Sequence, residues 1–340
     1  MKIIIDAMGG DNAPLEIVKG ALLGMEHWGV EVLLTGDTEA ILRALRDCGH
    51  DTIPHGMEIV HTTETVDMCD DPSKVFRHKK DTSMGVGLTL LRDGKADALV
   101  SAGSTGALLA GATLITKRIR GIRRAAMAPV IPTTGGRAVL IDCGANAECT
   151  PEYLLQFAYL GSFYAGRVLG LERPRVGLLN IGTEDSKGGE LQKAVYPLLQ
   201  KAGDAGYIRF IGNIEARDVP LGGADVVVAD GFSGNILLKT MEGVGSFAGH
   251  ALGDIFKKNL LTKLAAAMVM PGLRAFKAQL DPNKVGGTAF IGISKPVIKA
   301  HGASNAEAID NAIGQARQVA ESGIIGQIQE NVHLMQIQAE

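Results

Sequence analysis

Seven short runs rich in Val, Ile and Leu constrain this chain more than any other feature: "KIIID", "VEVLLTG", "ADALVSAG", "RAVLIDCG", "RVGLLNIG", "YIRFIGN" and "ADVVVADG". Each is nearly continuous rather than alternating, the pattern of parallel strands covered on both faces. Helix-like stretches at 14–28, 38–47, 105–118, 151–170 and 187–202 fall between many of them. Strands alternating with helices predict a three-layer α/β/α fold with a mostly parallel sheet. No internal repeat or Pro/Ser-rich linker interrupts the 340 residues, so they read as one elaborated domain.

Five of these strands end alike, in "DAMGGDNAP" (6–14), "SAGSTGA" (101–107), "DCGANAE" (142–148), "NIGTEDSKG" (180–188) and "ADGFSGN" (229–235). Pro14 behind Asn12 and Ala13, and Pro151 behind Thr150, suit first helical positions, so such loops sit between a strand C-terminus and a helix N-terminus. That edge of an open α/β sheet is its ligand-binding edge. Exposed N–H groups and helix dipoles favour anions there, and glycine permits close approach. The 44 glycines, nearly twice the usual share of about 7%, fit many such loops.

The signatures of several other chemistries are missing. No GxxxxGK[ST] occurs, and "GVGSFAG" (243–249) has the wrong spacing for GxGxxG and lies in a helical stretch. There is no HExxH and no paired Cys/His spacing, so no metal site is expected, although Asp6, Asp11 and Asp230 offer a Mg²⁺ alternative. "GFSGN" is not the nucleophile elbow GxSxG. Cys143, between Asp142 and Gly144, reads as a buried structural thiol rather than a nucleophile. A net charge of −3 supplies no global attraction to nucleic acid. With no basic, apolar leader and no run of 18 apolar residues, the reading is a cytoplasmic protein with reduced cysteines. The cations near the loops are Lys74, Arg77, Lys79 and Lys80, in a run leading to a capped helix start at "DTSMG", and Lys187, the better anion ligand.

Taken in order from "DAMGGDNAP" through "VSAGSTGALLAG", "LIDCGANAE", "NIGTEDSKG", "IEARD" and "VVVADGFSGNILLK" to "HGASNAEAI", the chain resembles PlsX, the bacterial fatty acyl-acyl carrier protein:phosphate acyltransferase family. Ser104 stands where that family usually has Asn, and Thr82 where it usually has Ser; both remain polar. The resemblance implies a homodimeric fold related to phosphotransacetylase and to isocitrate- and isopropylmalate-type dehydrogenases. It implies transfer of a long-chain acyl group from acyl carrier protein to inorganic phosphate, without a cofactor, giving acyl phosphate for phospholipid synthesis. Alternatives are a metal- and NAD-dependent dehydrogenase on the related fold and a non-catalytic acyl- or lipid-binding regulator.

On that reading Lys187, Ser104, Ser233 and loop amides hold phosphate. Asn12, Asn146 and Asn235 polarise the carbonyl or orient ligands, and Asp6, Asp11 and Asp230 place those donors. Gly9, Gly10, Lys80, Thr105, Gly106 and Gly234 complete the expected substrate contacts. Lys117, Arg118, Arg120, Arg123 and Arg124, in "KRIRGIRR", offer a dock for the acidic carrier protein, with a solvated basic face as the plainer reading. Residues 255–280 hold five Lys/Arg and no acid, with an apolar stripe of Leu260, Leu261, Leu264, Met268, Leu273 and Phe276 interrupted at Pro271. Such a segment suits an anionic membrane surface on the inner face of the cell, where a downstream membrane glycerol-phosphate acyltransferase would also be met, or a dimer interface.

Overall fold

The structure, a computed structural model, describes residues 1–280 and 286–337; of the side chains within 260–280, those of Leu260, Pro271 and residues 273–280 lie outside the description. Its strands are β1 (Lys2–Asp6), β2 (Glu31–Gly36), β3 (Met57–His61), β4 (Ala98–Ser101), β5 (Ala126–Ala128), β6 (Val130–Thr133), β7 (Gly136–Ile141), β8 (Arg175–Asn180), β9 (Arg209–Glu215), β10 (Val226–Val228), β11 (Thr288–Ile291) and β12 (Val297–Lys299). All seven runs singled out in the sequence are strands. β3, β5, β6, β11 and β12 were not foreseen.

The strands divide into two sheets where the sequence suggested one. The first runs β3-β2-β1-β4-β12-β11-β5 and the second β6-β7-β10-β8-β9. Both are mostly parallel; among the described residues only β12–β11, β11–β5 and β6–β7 pair antiparallel. The division falls at Pro129, the single residue between β5 and β6. β5 pairs with β11 in the first sheet, β6 with β7 in the second, and the Pro129 carbonyl accepts from Leu140 N–H.

Helices cover both faces of the first sheet's strands, so Ile3, Ile4 and Ile5 are all fully buried. One buried cluster joins the sheets, taking in Ile3, Val100, Val139, Ile141, Tyr164 and Ile309. Within it the Tyr164 hydroxyl accepts from Gln315 Nε2 at 3.0 Å, pinning the helix Pro151–Arg167 to the helix Ala306–Glu321. Pro151 opens its helix as expected. Pro14 does not: it occupies the capping position and the helix starts at Leu15, after Asn12 has been drawn into contacts with residues 303–304.

The helix Gly231–Lys257 packs on the body through Leu237, Leu238 and Met241, then extends beyond it and turns at Lys258–Asn259 into the helix Leu260–Leu280. Asn259 and Thr262 cap the second helix reciprocally, at 3.0 and 2.9 Å. The expected interruption at Pro271 is absent, and the helical backbone passes through it. Val244, Phe247, Ile255, Leu261, Leu264 and Met268 are exposed on this arm. Leu260, Leu273 and Phe276, named above with them, have side chains outside the description. No helix among the described residues is long and apolar enough to cross a membrane.

Candidate active site

The five glycine-rich loops divide between the sheets. Those after β1 and β4 stand side by side at the C-terminal edge of the first sheet, together with residues 300–305 after β12. Asp6 is 1% exposed and accepts from Ser101 Oγ at 2.7 Å. Burial pushes its carboxyl up, and hydrogen bonds from Ser83, Ser101 and the Met8 N–H, with Lys299 nearby, pull the other way. Asp11 N–H donates to the Gly302 carbonyl at 2.8 Å, and Asn12 Nδ2 donates to the carbonyls of Ala303 (3.3 Å) and Ser304 (3.2 Å). Gly9 and Gly10 lie too close to Gly103, Ala102 and Gly302 to carry a side chain. Ser104 Oγ caps the helix that begins at Thr105, accepting from Ala107 N–H, and Gly106 faces Pro72.

Sequence reasoning missed Lys299, the last residue of β12. It is 7% exposed, and its Nζ donates to the Ala102 carbonyl at 3.3 Å and also to that of Ala300. Burial pushes the ammonium down to about 8, against the pull of Asp6 and Asp11. The one available signal was its place just before "HGASNAEAI".

In the second sheet β10 lies between β7 and β8, so three loops end on adjacent parallel strands, about 5 Å apart at their roots. Asp142 is buried under its loop. One carboxylate oxygen accepts from the N–H groups of Met127 (2.8 Å), Cys143 (2.7 Å) and Ala145 (3.3 Å). The other accepts from Asn146 N–H (2.7 Å) and Asn146 Nδ2 (2.9 Å). Burial pushes this carboxyl up and those bonds oppose it. The second Asn146 amide bond goes to the Ala125 carbonyl at 2.8 Å, and Gly231 N–H donates to the Asn146 carbonyl at 2.8 Å. Asp230 caps the helix Gly231–Lys257, accepting from Ser233 N–H and Ser233 Oγ, both at 2.8 Å.

Gly234 is pressed against the Asp142 carbonyl, and Asn235 then stands exposed beside Gly144. Asn235 makes no side-chain hydrogen bond among the described residues. Of the three asparagines, it alone keeps its amide open; those of Asn12 and Asn146 hold backbone in place. Cys143 is buried, with its thiol pushed up to about 12 by desolvation and donating to the Gly234 carbonyl.

Lys187 is half-exposed in the loop after β8, 3.8 Å from Glu184. That loop is tied down by Asn180 Nδ2 on the Lys187 carbonyl (3.1 Å) and by Asn213 Nδ2 on the Glu184 carbonyl (2.7 Å). Lys79 is clamped by Asp67, Asp70 and the Thr65 carbonyl, whereas Lys80 is exposed with no described partner. In the basic segment, Arg118 donates to the Arg123 carbonyl, Arg123 pairs with Glu152 at 3.0 Å, and Arg124 lies 5.6 Å from the Tyr153 ring centre. Lys117 and Arg120 are exposed, and neither side chain has a described partner. Among the described residues no three His, Cys, Asp or Glu side chains are grouped to hold a metal.

Two mostly parallel sheets with polar, glycine-rich loops on their C-terminal edges define a known class of α/β protein. The phosphotransacetylase of Streptococcus pyogenes matches this structure with a TM-score of 0.65 at 20% identity, covering 94% of both chains. The 4-hydroxythreonine-4-phosphate dehydrogenase of Klebsiella pneumoniae gives 0.55 at 15% identity, covering 94% of this chain and 99% of its own. The expected relation to both fold groups, transacetylase and dehydrogenase, is borne out. The family described as "Fatty acid synthesis protein" matches residues 1–327. A protein named Phosphate acyltransferase from Thermoanaerobacterium thermosaccharolyticum is 44% identical over 335 residues, 98% of each chain. The chain belongs to the fatty acid synthesis protein family, as the resemblance of its loops implied.

Proposed function

We propose that this chain transfers a long-chain fatty acyl group from acyl carrier protein to inorganic phosphate, forming acyl phosphate for phospholipid synthesis. The observation that carries the reading is the open amide of Asn235 near the start of the helix after β10, a strand that lies next to the one whose loop bears Lys187. A phosphate oxygen attacks the thioester carbonyl carbon, forming the new C–O bond and an oxyanion. The oxyanion collapses, the C–S bond breaks, and the carrier thiolate leaves and takes up a proton. The Asn235 amide faces the oxyanion, and one such donor contributes about 3–4 kcal/mol. Lys187 meets the phosphate charge. Phosphate is largely ionised at neutral pH, like a phosphomonoester with second pKa near 6, so no general base is required.

In this reading Asp6, Asp142, Asn12, Asn146 and Asp230 hold loops rather than touch substrate. Holding both reactants in register is a large part of the rate enhancement. Lys117 and Arg120 are the cations left to meet an acidic carrier protein, in the segment whose Arg123 and Arg124 meet Glu152 and Tyr153 in the first turn of the helix Pro151–Arg167. The helical arm, with exposed Leu261, Leu264 and Met268 among Lys257, Lys258 and Lys263, suits an anionic lipid surface, or a second copy of the chain in a homodimer. The test of the reaction is thiol release from palmitoyl-acyl carrier protein with and without inorganic phosphate, trapping product with hydroxylamine. Phosphate-dependent release with a trapped hydroxamate is expected; release indifferent to phosphate would overturn the reading.

A further inference from the structure

We infer that Lys299 is a positioning residue for phosphate: fixed beneath the loops after β1, β4 and β12, its ammonium locks their arrangement and supplies the positive potential in which the anion is held. β12 lies beside β4 with Lys299 opposite Ser101, so its side chain enters the root of the 101–107 loop. There it donates to Ala102 and Ala300, one carbonyl from each of two loops. The third loop closes over the same point, since Gly10 packs on Ala102 and Gly302, and Asp11 N–H donates to Gly302. Without the ammonium, both buried carbonyls would lose this donor.

The charge has a second consequence. The loops after β1 and β4 carry Asp6 and Asp11 and no Lys or Arg, so by themselves they would repel phosphate. Lys299 reverses that from below. The charged groups facing it are Asp6 from β1 and Asp11 from the following loop; its own loop adds His301, which is exposed and accepts from Ala303 N–H through Nδ1. Both carboxylates favour the ammonium, yet burial lowers it to about 8. Bound phosphate favours the charged form further, so by linkage phosphate affinity falls as pH rises past that value.

The inference rests on phosphate binding at this edge, and the experiment separates the two. Initial rates against inorganic phosphate, at saturating palmitoyl-acyl carrier protein, are measured from pH 7 to 9 on the full chain. The proteins compared are the wild type, Lys299→Arg, Lys299→Met and Asn12→Ala. The wild-type KM for phosphate should rise about tenfold over this range, because one pH unit above its pKa leaves about a tenth of the lysine charged. Lys299→Arg, charged throughout, should lose that rise. Lys299→Met should show a KM at least about tenfold higher at pH 7, with kcat within about threefold. A merely structural lysine would give no such split and no rescue of the pH profile by arginine. A wild-type KM that stays level between pH 7 and 9 overturns the inference even if neither Lys299 variant folds. So does Lys299→Met with wild-type KM when Asn12→Ala is impaired. Unchanged kinetics in Asn12→Ala would remove the edge from the site, and the inference with it.

Discussion

Replacing Gly234 by alanine tests whether the interlock between the 142–148 and 229–235 loops sets the reactive geometry. A Cβ at this position would lie 2.0 Å from the Asp142 carbonyl oxygen and 3.2 Å from its carbon. Ordinary contact begins near 3.4 Å, so the loops must part by about 1.4 Å. The obstacle is backbone, held by the five hydrogen bonds on the Asp142 carboxylate, and cannot swing aside as a side chain would. Overpacking of this kind destabilises by about 1–3 kcal/mol, which in a chain of this size lowers Tm by no more than about 10 °C. Asn235 is the next residue, and a displacement near 1 Å at a reacting group reduces rate by about 100-fold. The assay is phosphate-dependent acyl transfer beside thermal unfolding, with Gly243→Ala as control. Gly243 lies on the same helix with open space around it, and alanine there should leave activity unchanged and gain up to about 1 kcal/mol of helix stability. A Gly234→Ala protein that folds and keeps wild-type kcat would refute the argument that this contact sets the site.

Asn235→Ala should lower kcat about 100- to 1,000-fold with Tm unchanged, since its amide holds nothing else in place; a parallel fall in Tm would point to a structural role instead. Lys187→Ala should raise the KM for phosphate or lower kcat while leaving stability within about 0.5 kcal/mol, its ion pair among the described residues being a half-exposed one at 3.8 Å. Burial alone would raise the Asp225 carboxyl, but the guanidinium and N–H of Arg175 outweigh it and hold the group below its ordinary 3.8. The stability it lends is therefore full above pH 3.8 and is lost as pH falls through the lower folded value. Asp225→Asn should unfold more easily than wild type by about 1–2 kcal/mol at pH 7, and denaturant titrations should show that gap closing towards pH 2. Reversing Lys117 and Arg120 to Glu should raise the KM for acyl carrier protein and flatten its salt dependence, leaving the phosphate KM alone; an unchanged carrier KM would remove this surface from docking.

Local pattern alone was enough for most of the strands that carry the site, β12 excepted. Continuous Val/Ile/Leu runs marked β1, β2, β4, β7, β8, β9 and β10, and "DTSMG" announced a helix whose Thr82 hydroxyl does accept from Gly85 N–H. The five loops, and through them the family, were legible because glycine and small polar residues at a strand end report a backbone requirement that neighbours in sequence impose. Length is not what separates the strands that were missed, since β12, "VIK", is as short as β10, "VVV", which its run did mark.

What tertiary structure decided is which polar groups remain open. Asn12, Asn146 and Asn235 are alike as letters, yet two of them hold backbone 291 and 21 residues away while the third faces solvent. Lys299 carries no mark of burial in its sequence; it is enclosed because β12 slots beside β4 nearly two hundred residues earlier in the chain. The division into two sheets likewise turns on pairing, with β5 choosing β11 and β6 choosing β7 on either side of Pro129. Residue type and spacing determine which conformations a segment can adopt. Hydrogen-bond partners and charge environments are determined by segments distant in sequence that meet only when the core closes, and the chemistry of this edge lies in those.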